Sequence, residues 1–180
     1  MWHRSAATLA ILSVSSVAAS ATPPQLHDKT ISLSWSVSQS LKAPDGRIVN
    51  PSTSESRIIY VSSAGRLFIR SARNTAAISR SNDYAPGDRN RDDRSSQVSG
   101  WRFQGNQLVA MSALSGSGGS RVQVSFDPSF SSCTLSVVFG RSGGQSIRFR
   151  GIDGVNYEAI SMSAGNPTCS IRSGNAFGGN

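Results

Sequence analysis

Few side chains in this chain could do chemistry, and their spacing narrows which kinds. Cys133 and Cys169 sit in "CTLSVVF" and "CSIR", outside any C-x-x-C. Cys133 shares the parity of Leu135 and Val137, and Cys169 that of Ile171, so both sulfurs are expected to point inward. An even count of inward thiols with no histidine beside them predicts a disulfide rather than a nucleophile.

Histidine is scarce: His3 and His27 are the only two. A Ser-His-Asp triad would have to draw on His27, beside "PPQLHD", and a histidine-rich zinc site has no ligands to use. His27 reads as a surface residue, and neither catalytic residues, metal nor cofactor is expected. Asp88, Asn90 and Asp92 alternate as at the start of a calcium loop. Asp93 then stands where glycine belongs, Ser99 stands where a bidentate glutamate belongs, and Arg89, Arg91 and Arg94 oppose a cation. A self-neutralised charged loop is the expectation there.

Hydrolysis by paired carboxylates would need Asp127, Asp153 or Glu158 to meet another acid in a cleft. Glu158 is the one acid expected well inside a strand, where it faces Arg148 as an ordinary surface ion pair. Arg121, Arg148 and Arg150 are the candidate anion-binding residues. Lys and Arg number 18 against 10 acids, for a net charge of +8, and only Lys29 and Lys42 are lysines. Such a surface attracts acidic glycans, lipid head groups or nucleic acid. No basic run is interleaved with aromatics, so specific nucleic-acid recognition is not expected.

The amino end, "MWHRSAATLAILSVSSVAASATPP", has a positive start at Arg4, an apolar stretch over 6–17, and Ala19-Ser20-Ala21 in the small-x-small form of a signal-peptidase site. Residues 1–21 are expected to be a signal peptide, with the mature chain beginning near Thr22. Losing Arg4 with the leader lowers the charge from +8 to +7. No cysteine follows for a lipid anchor, and no transmembrane segment remains after cleavage. The expected location is periplasmic or extracellular, where the disulfide can persist.

The elements that must position these residues have a period of two. Ile31, Leu33, Trp35 and Val37 alternate with Ser and Thr in "TISLSWSV". Val122, Val124 and Phe126 do so in "RVQVSFD", and Leu135, Val137 and Phe139 follow Cys133. This is the pattern of half-buried antiparallel strands.

Matching apolar faces across each turn sets the registers. In "RIIYVSSAGRLFIR", a three-residue loop Ser63-Ala64-Gly65 puts Val61 opposite Leu67 and Ile59 opposite Ile69. In "SIRFRGIDGVNYEAI", the obvious Asp153-Gly154 turn would set Phe149 against Glu158. A three-residue loop of Ile152, Asp153 and Gly154 instead sets Phe149 against Tyr157, Ile147 against Ala159, and Arg148 against Glu158. "GWRFQGNQLVAM" fits a Gly105-Asn106 turn with Phe103 opposite Leu108, and "FDPSFSSC" joins Phe126 to Cys133.

The expected fold is therefore all-β, an antiparallel up-and-down meander forming a small barrel or sandwich of about eight strands. Residues 22–29 are expected to be an N-terminal extension and 30–172 a single β domain. Residues 41–56 read as a loop, about 71–97 as a long mobile excursion, and 173–180 as a flexible tail. Cys169 is expected to open a weak last strand that the disulfide staples to the meander.

Serial hairpins with glycine turns and inward aromatic and aliphatic residues, over residues 30–172, resemble the strand pattern of the lipocalin and avidin barrels. The lipocalin glycine-x-tryptophan signature is absent, since Leu33 and Ser34 precede Trp35. The whole chain also resembles uncharacterised bacterial exported proteins. The expectation for function is an exported, non-enzymatic β domain that binds a small molecule or an anionic envelope component. The alternatives are a carboxylate-dependent hydrolase and a structural envelope protein without a ligand.

Overall fold

The computed structural model describes residues 21–75, 91–92, 100–113, 118–141, 147–151 and 153–177. A short 3-10 turn at Pro24–Leu26 leads into β1 (Lys29–Lys42), β2 (Ile48–Val49), β3 (Ser52–Val61), β4 (Leu67–Thr75) and β5 (Arg91–Asp92). Then follow β6 (Arg102–Gln104), β7 (Gln107–Ala113), β8 (Gly118–Phe126), β9 (Cys133–Arg141), β10 (Arg148–Arg150) and β11 (Asn156–Ser173).

The strands form two antiparallel sheets. One has the order β10-β11-β1-β3-β4-β5, with β2 beside the end of β1, and the other is the meander β6-β7-β8-β9. The described strands do not close into a barrel, and the arrangement is a sandwich. Eleven strands are described where about eight were expected. The last long strand returns to pair with the first instead of extending the meander.

Alternation explains the core. Ile31, Leu33, Trp35 and Val37 of β1 turn inward with Ile59 and Val61 of β3. They meet Phe103, Leu108, Val122, Val124, Phe126 and Leu135 of the other sheet. Burying each such aliphatic side chain is worth about 1.5–3 kcal/mol. The opposite face of β1 carries Ser32, Ser34, Ser36 and Ser38, and cross-strand hydroxyls meet there, as Ser34 and Thr168 do at 2.6 Å.

The predicted registers hold. Val61 pairs with Leu67, Ile59 with Ile69, Phe103 with Leu108 and Phe126 with Cys133. The two three-residue loops end on glycines in the left-handed region, Gly65 at φ +73° and Gly154 at φ +77°.

Several boundaries differ from expectation. The stretch read as a loop over 41–56 contains β2 and the first half of β3, because serine and threonine there occupy strand positions without an apolar signal. Leu26, in the expected extension, is fully buried in the core. β4 runs to Thr75 and Arg91–Asp92 pair with it, while 76–90 and 93–99, the rest of the excursion expected over 71–97, lie outside the described residues. The Asp88-to-Ser99 calcium-like spacing lies there too, apart from Arg91–Asp92.

The expected tail is ordered as far as Phe177, which is buried and has the Arg70 guanidinium 4.8 Å from its ring centroid. Buried Thr30 holds this segment, donating to the Gly174 carbonyl at 2.6 Å and accepting from the Ala176 amide at 3.0 Å.

Cys133 and Cys169 form a disulfide with Cα atoms 5.7 Å apart. The predicted pairing is correct, but its setting differs. Cys169 lies within β11, an 18-residue strand, not at the start of a short one. Because Cys133 opens β9 and Cys169 faces Leu33 across from β1, the bond joins the two sheets.

Candidate functional site

The last residues of β1 and the first of β11, with β2 and β10, form one end of the larger sheet, and this end carries two faces of different character. Its inner face is a small apolar cluster of Leu41, Ala43, Ile147, Tyr157 and Ala159, packed by Val49, Val155 and Met162. A polar group crowns it: the Tyr157 hydroxyl donates to Asp153 Oδ2 at 2.7 Å, and the Val155 amide donates to Oδ1 at 3.0 Å.

The Tyr157 hydroxyl is the main reason the Asp153 carboxyl is held below its ordinary range, with the Val155 amide and the nearby Arg47 adding to it. The same bond raises the Tyr157 phenol. Gly151 permits this arrangement, since a Cβ there would lie 2.3 Å from Asp153 Oδ1 and 2.8 Å from Tyr157 Cε2.

The outer face is charged. Arg148 pairs with Glu158, Glu158 with Lys42, and Lys42 with Ile48, so these four residues form one row across β10, β11, β1 and β2. Arg150, two residues along β10 and exposed, shares the face of Arg148. Between Ser161 and Ala159 the β11 register slips against Ser40 and Leu41, leaving Ile160 as an extra residue. Ile160 and Ile48 remain 47% and 55% exposed. The face thus gathers Lys42, Arg148 and Arg150 around Glu158, with two exposed isoleucines beside them.

Of the three arginines singled out by sequence, the structure brings Arg148 and Arg150 together. Arg121 lies on the outer face of β8 in the other sheet, between Met111 and Val138 in register. The three therefore do not form one stripe.

The carboxylates considered for hydrolysis are each occupied separately. Asp127 caps its own turn, accepting from the Ser131 and Ser132 amides at 2.7 Å each and from the Ser129 hydroxyl. Asp153 is bonded to inward Tyr157, whereas Glu158 lies on the opposite face of β11 between Arg148 and Lys42.

Sequence reasoning missed an acid. Glu55 of β3 is buried and meets Arg57 Nη2 at 2.9 Å, with the two side chains 9% and 20% exposed. The Arg57 guanidinium lies 5.2 Å from the centroid of buried Trp35 and also donates to the Ser56 carbonyl at 2.8 Å. The signal was present in "ESRIIYV": Glu55 and Arg57 have the parity of Ile59 and Val61. Reading 41–56 as a loop cut the strand before that parity could be followed. His27, read as a surface residue, is half-buried with its Nε2 close against Gly65.

No family model matches this chain, and no curated protein or solved structure matches it. The fold and site define an all-β sandwich whose sheets are joined by a disulfide and whose larger sheet ends in a cationic face. No helix among the described residues is long and apolar enough to cross a membrane.

Proposed function

We propose that this is an exported, non-enzymatic β domain that binds an anionic component of the cell envelope, acting in the periplasm or outside the cell. The observation that carries the reading is the outer face formed by Lys42, Arg148 and Arg150, which sets three cations around the single acid Glu158. The charge of +7 left once the leader takes Arg4 supports it, as does an inter-sheet disulfide that persists in an oxidising compartment. The signal-peptide pattern at residues 1–21 supplies the route.

Two measurements test it. N-terminal sequencing of exported protein should find Thr22 or a near neighbour, and intact Met1 in a membrane fraction would refute export. The mature chain should be retained on immobilised dextran sulfate at low salt and released as salt rises, because a cationic patch binds through screened charge. Arg148→Ser with Arg150→Ser should weaken that retention. Retention unchanged by the double substitution, or none at any salt, refutes the binding role and leaves a structural envelope protein.

A further inference from the structure

We propose that the outer face at the end of the larger sheet docks on an anionic lipid surface, with Ile48 and Ile160 entering the head-group region and Lys42, Arg148 and Arg150 meeting the phosphates. This rests on the envelope-binding reading and names its partner. Isoleucine offers neither hydrogen bonds nor a ring, so it adds nothing to the capture of a sugar or a base. An aliphatic side chain beside cations gains from a surface that is charged outside and apolar beneath.

The placement suits that geometry. The row Arg148–Glu158–Lys42–Ile48 crosses four strands, about 14 Å at ordinary strand spacing, on one side of the sheet. The bulge at Ile160 puts a second apolar side chain on this side, at 47% exposure, instead of folding it into the apolar cluster below. Tyr157, the buried aromatic of this region, turns inward to that cluster, so the charged face does not borrow its ring for stacking. Glu158 opposes an anionic surface, but it lies between Arg148 and Lys42 in register, which leaves the face net positive.

Elsewhere Met111 and Val138 are also exposed, flanking Arg121. That row holds a single cation and serves as the internal control.

The test is vesicle flotation of the disulfide-intact mature chain. Vesicles of phosphatidylcholine with phosphatidylglycerol should carry the protein at low salt, and pure phosphatidylcholine should not. Arg148→Ser with Arg150→Ser should lower partitioning about 25-fold, at roughly five-fold per charge. Ile48→Ser with Ile160→Ser should lower vesicle partitioning about ten-fold or more while leaving dextran sulfate retention unchanged. Glu158→Gln should strengthen vesicle binding, and Met111→Ser should not alter it.

Retention on dextran sulfate without flotation on the anionic vesicles would mean that the partner is an acidic polysaccharide. That result would overturn the lipid assignment while the envelope-binding reading stands. So would isoleucine variants that float as the parent does, or a Met111→Ser loss equal to theirs. Circular dichroism of each variant confirms the fold, since every substituted side chain is exposed.

Discussion

Glu55 and Arg57, two residues apart on β3, both turn into the space between the sheets and meet there at 2.9 Å, with Trp35 beneath the guanidinium. A partly buried ion pair is a demanding use of interior space. Its desolvation cost offsets most of its attraction, and each partner becomes costly once the other is gone. Stacking on Trp35 lowers the cost for arginine, whose planar guanidinium is weakly hydrated.

Glu55→Ala should therefore destabilise the domain by about 2–4 kcal/mol, because it takes the carboxylate from a partly buried guanidinium. Replacing both with leucine should restore much of the loss. Urea denaturation of the two variants measures this. Equal losses for the single and double variants would show that the pair contributes net stability of its own.

The disulfide predicts a second outcome. Thiol titration of the unfolded, unreduced protein should find no free sulfhydryl. Reduction should lower stability by about 4 kcal/mol, the loop-closure value for a separation of 36 residues. Because the bond joins the two sheets, its loss should increase amide exchange in β9 and β11 before the β3–β4 hairpin. Uniform exchange across both sheets would contradict that local role.

Asp127 sets a pH dependence. Its carboxyl is held well below the ordinary aspartate range, first by the Ser129 hydroxyl, then by the Ser132 amide and by Ser131. The folded value is lower than the unfolded one, so the folded state binds fewer protons in acid. The contribution is therefore fully present above the ordinary value of 3.8 and is lost as pH falls toward the folded value. Asp127→Asn should be less stable than the parent at neutral pH, and the difference should shrink steadily in acid. Urea midpoints across a pH series give the answer, and a gap that widens as pH falls would reverse the sign.

The β10–β11 hairpin gives an ordering. Tyr157 is buried, and Tyr157→Ala should cost about 3–5 kcal/mol. Arg148 is exposed, and Arg148→Ala should cost about 0–1 kcal/mol. Gly151→Ala should cost about 1–3 kcal/mol, since its methyl would collide with Asp153 and Tyr157. Thermal or urea unfolding ranks the three, and Arg148→Ala costing more than Tyr157→Ala would mean the hairpin faces are reversed.

The local pairings are legible in the sequence. The Arg148–Glu158 and Phe149–Tyr157 register followed from matching faces across a three-residue loop, against the pull of the Asp153-Gly154 pair toward a shorter turn. Glu55 is hidden by ending the loop at 56, since its parity with Ile59 and Val61 shows only when the strand is followed back from "IIYV" into "STSES". β11 was broken too early for a related reason. At Asn166 and Pro167, two residues oppose the single Trp35, and Asn166 takes φ +49°. These two residues form a bulge within one continuous strand, so the segment at Cys169 is not a separate short strand.

By itself, then, the sequence determined the class of fold, the hairpin registers and the cysteine pair, all of which depend on alternation over neighbouring residues and on turn chemistry. Only the tertiary structure decided that β11 lies along β1, that the disulfide spans two sheets, and that Lys42 joins Arg148 across Glu158 while Arg121 lies elsewhere. Those relationships join residues more than a hundred positions apart in the case of Lys42 and Glu158. Strand parity says which way a side chain points, but a strand carries no local mark of the distant partner that will pair with its edge.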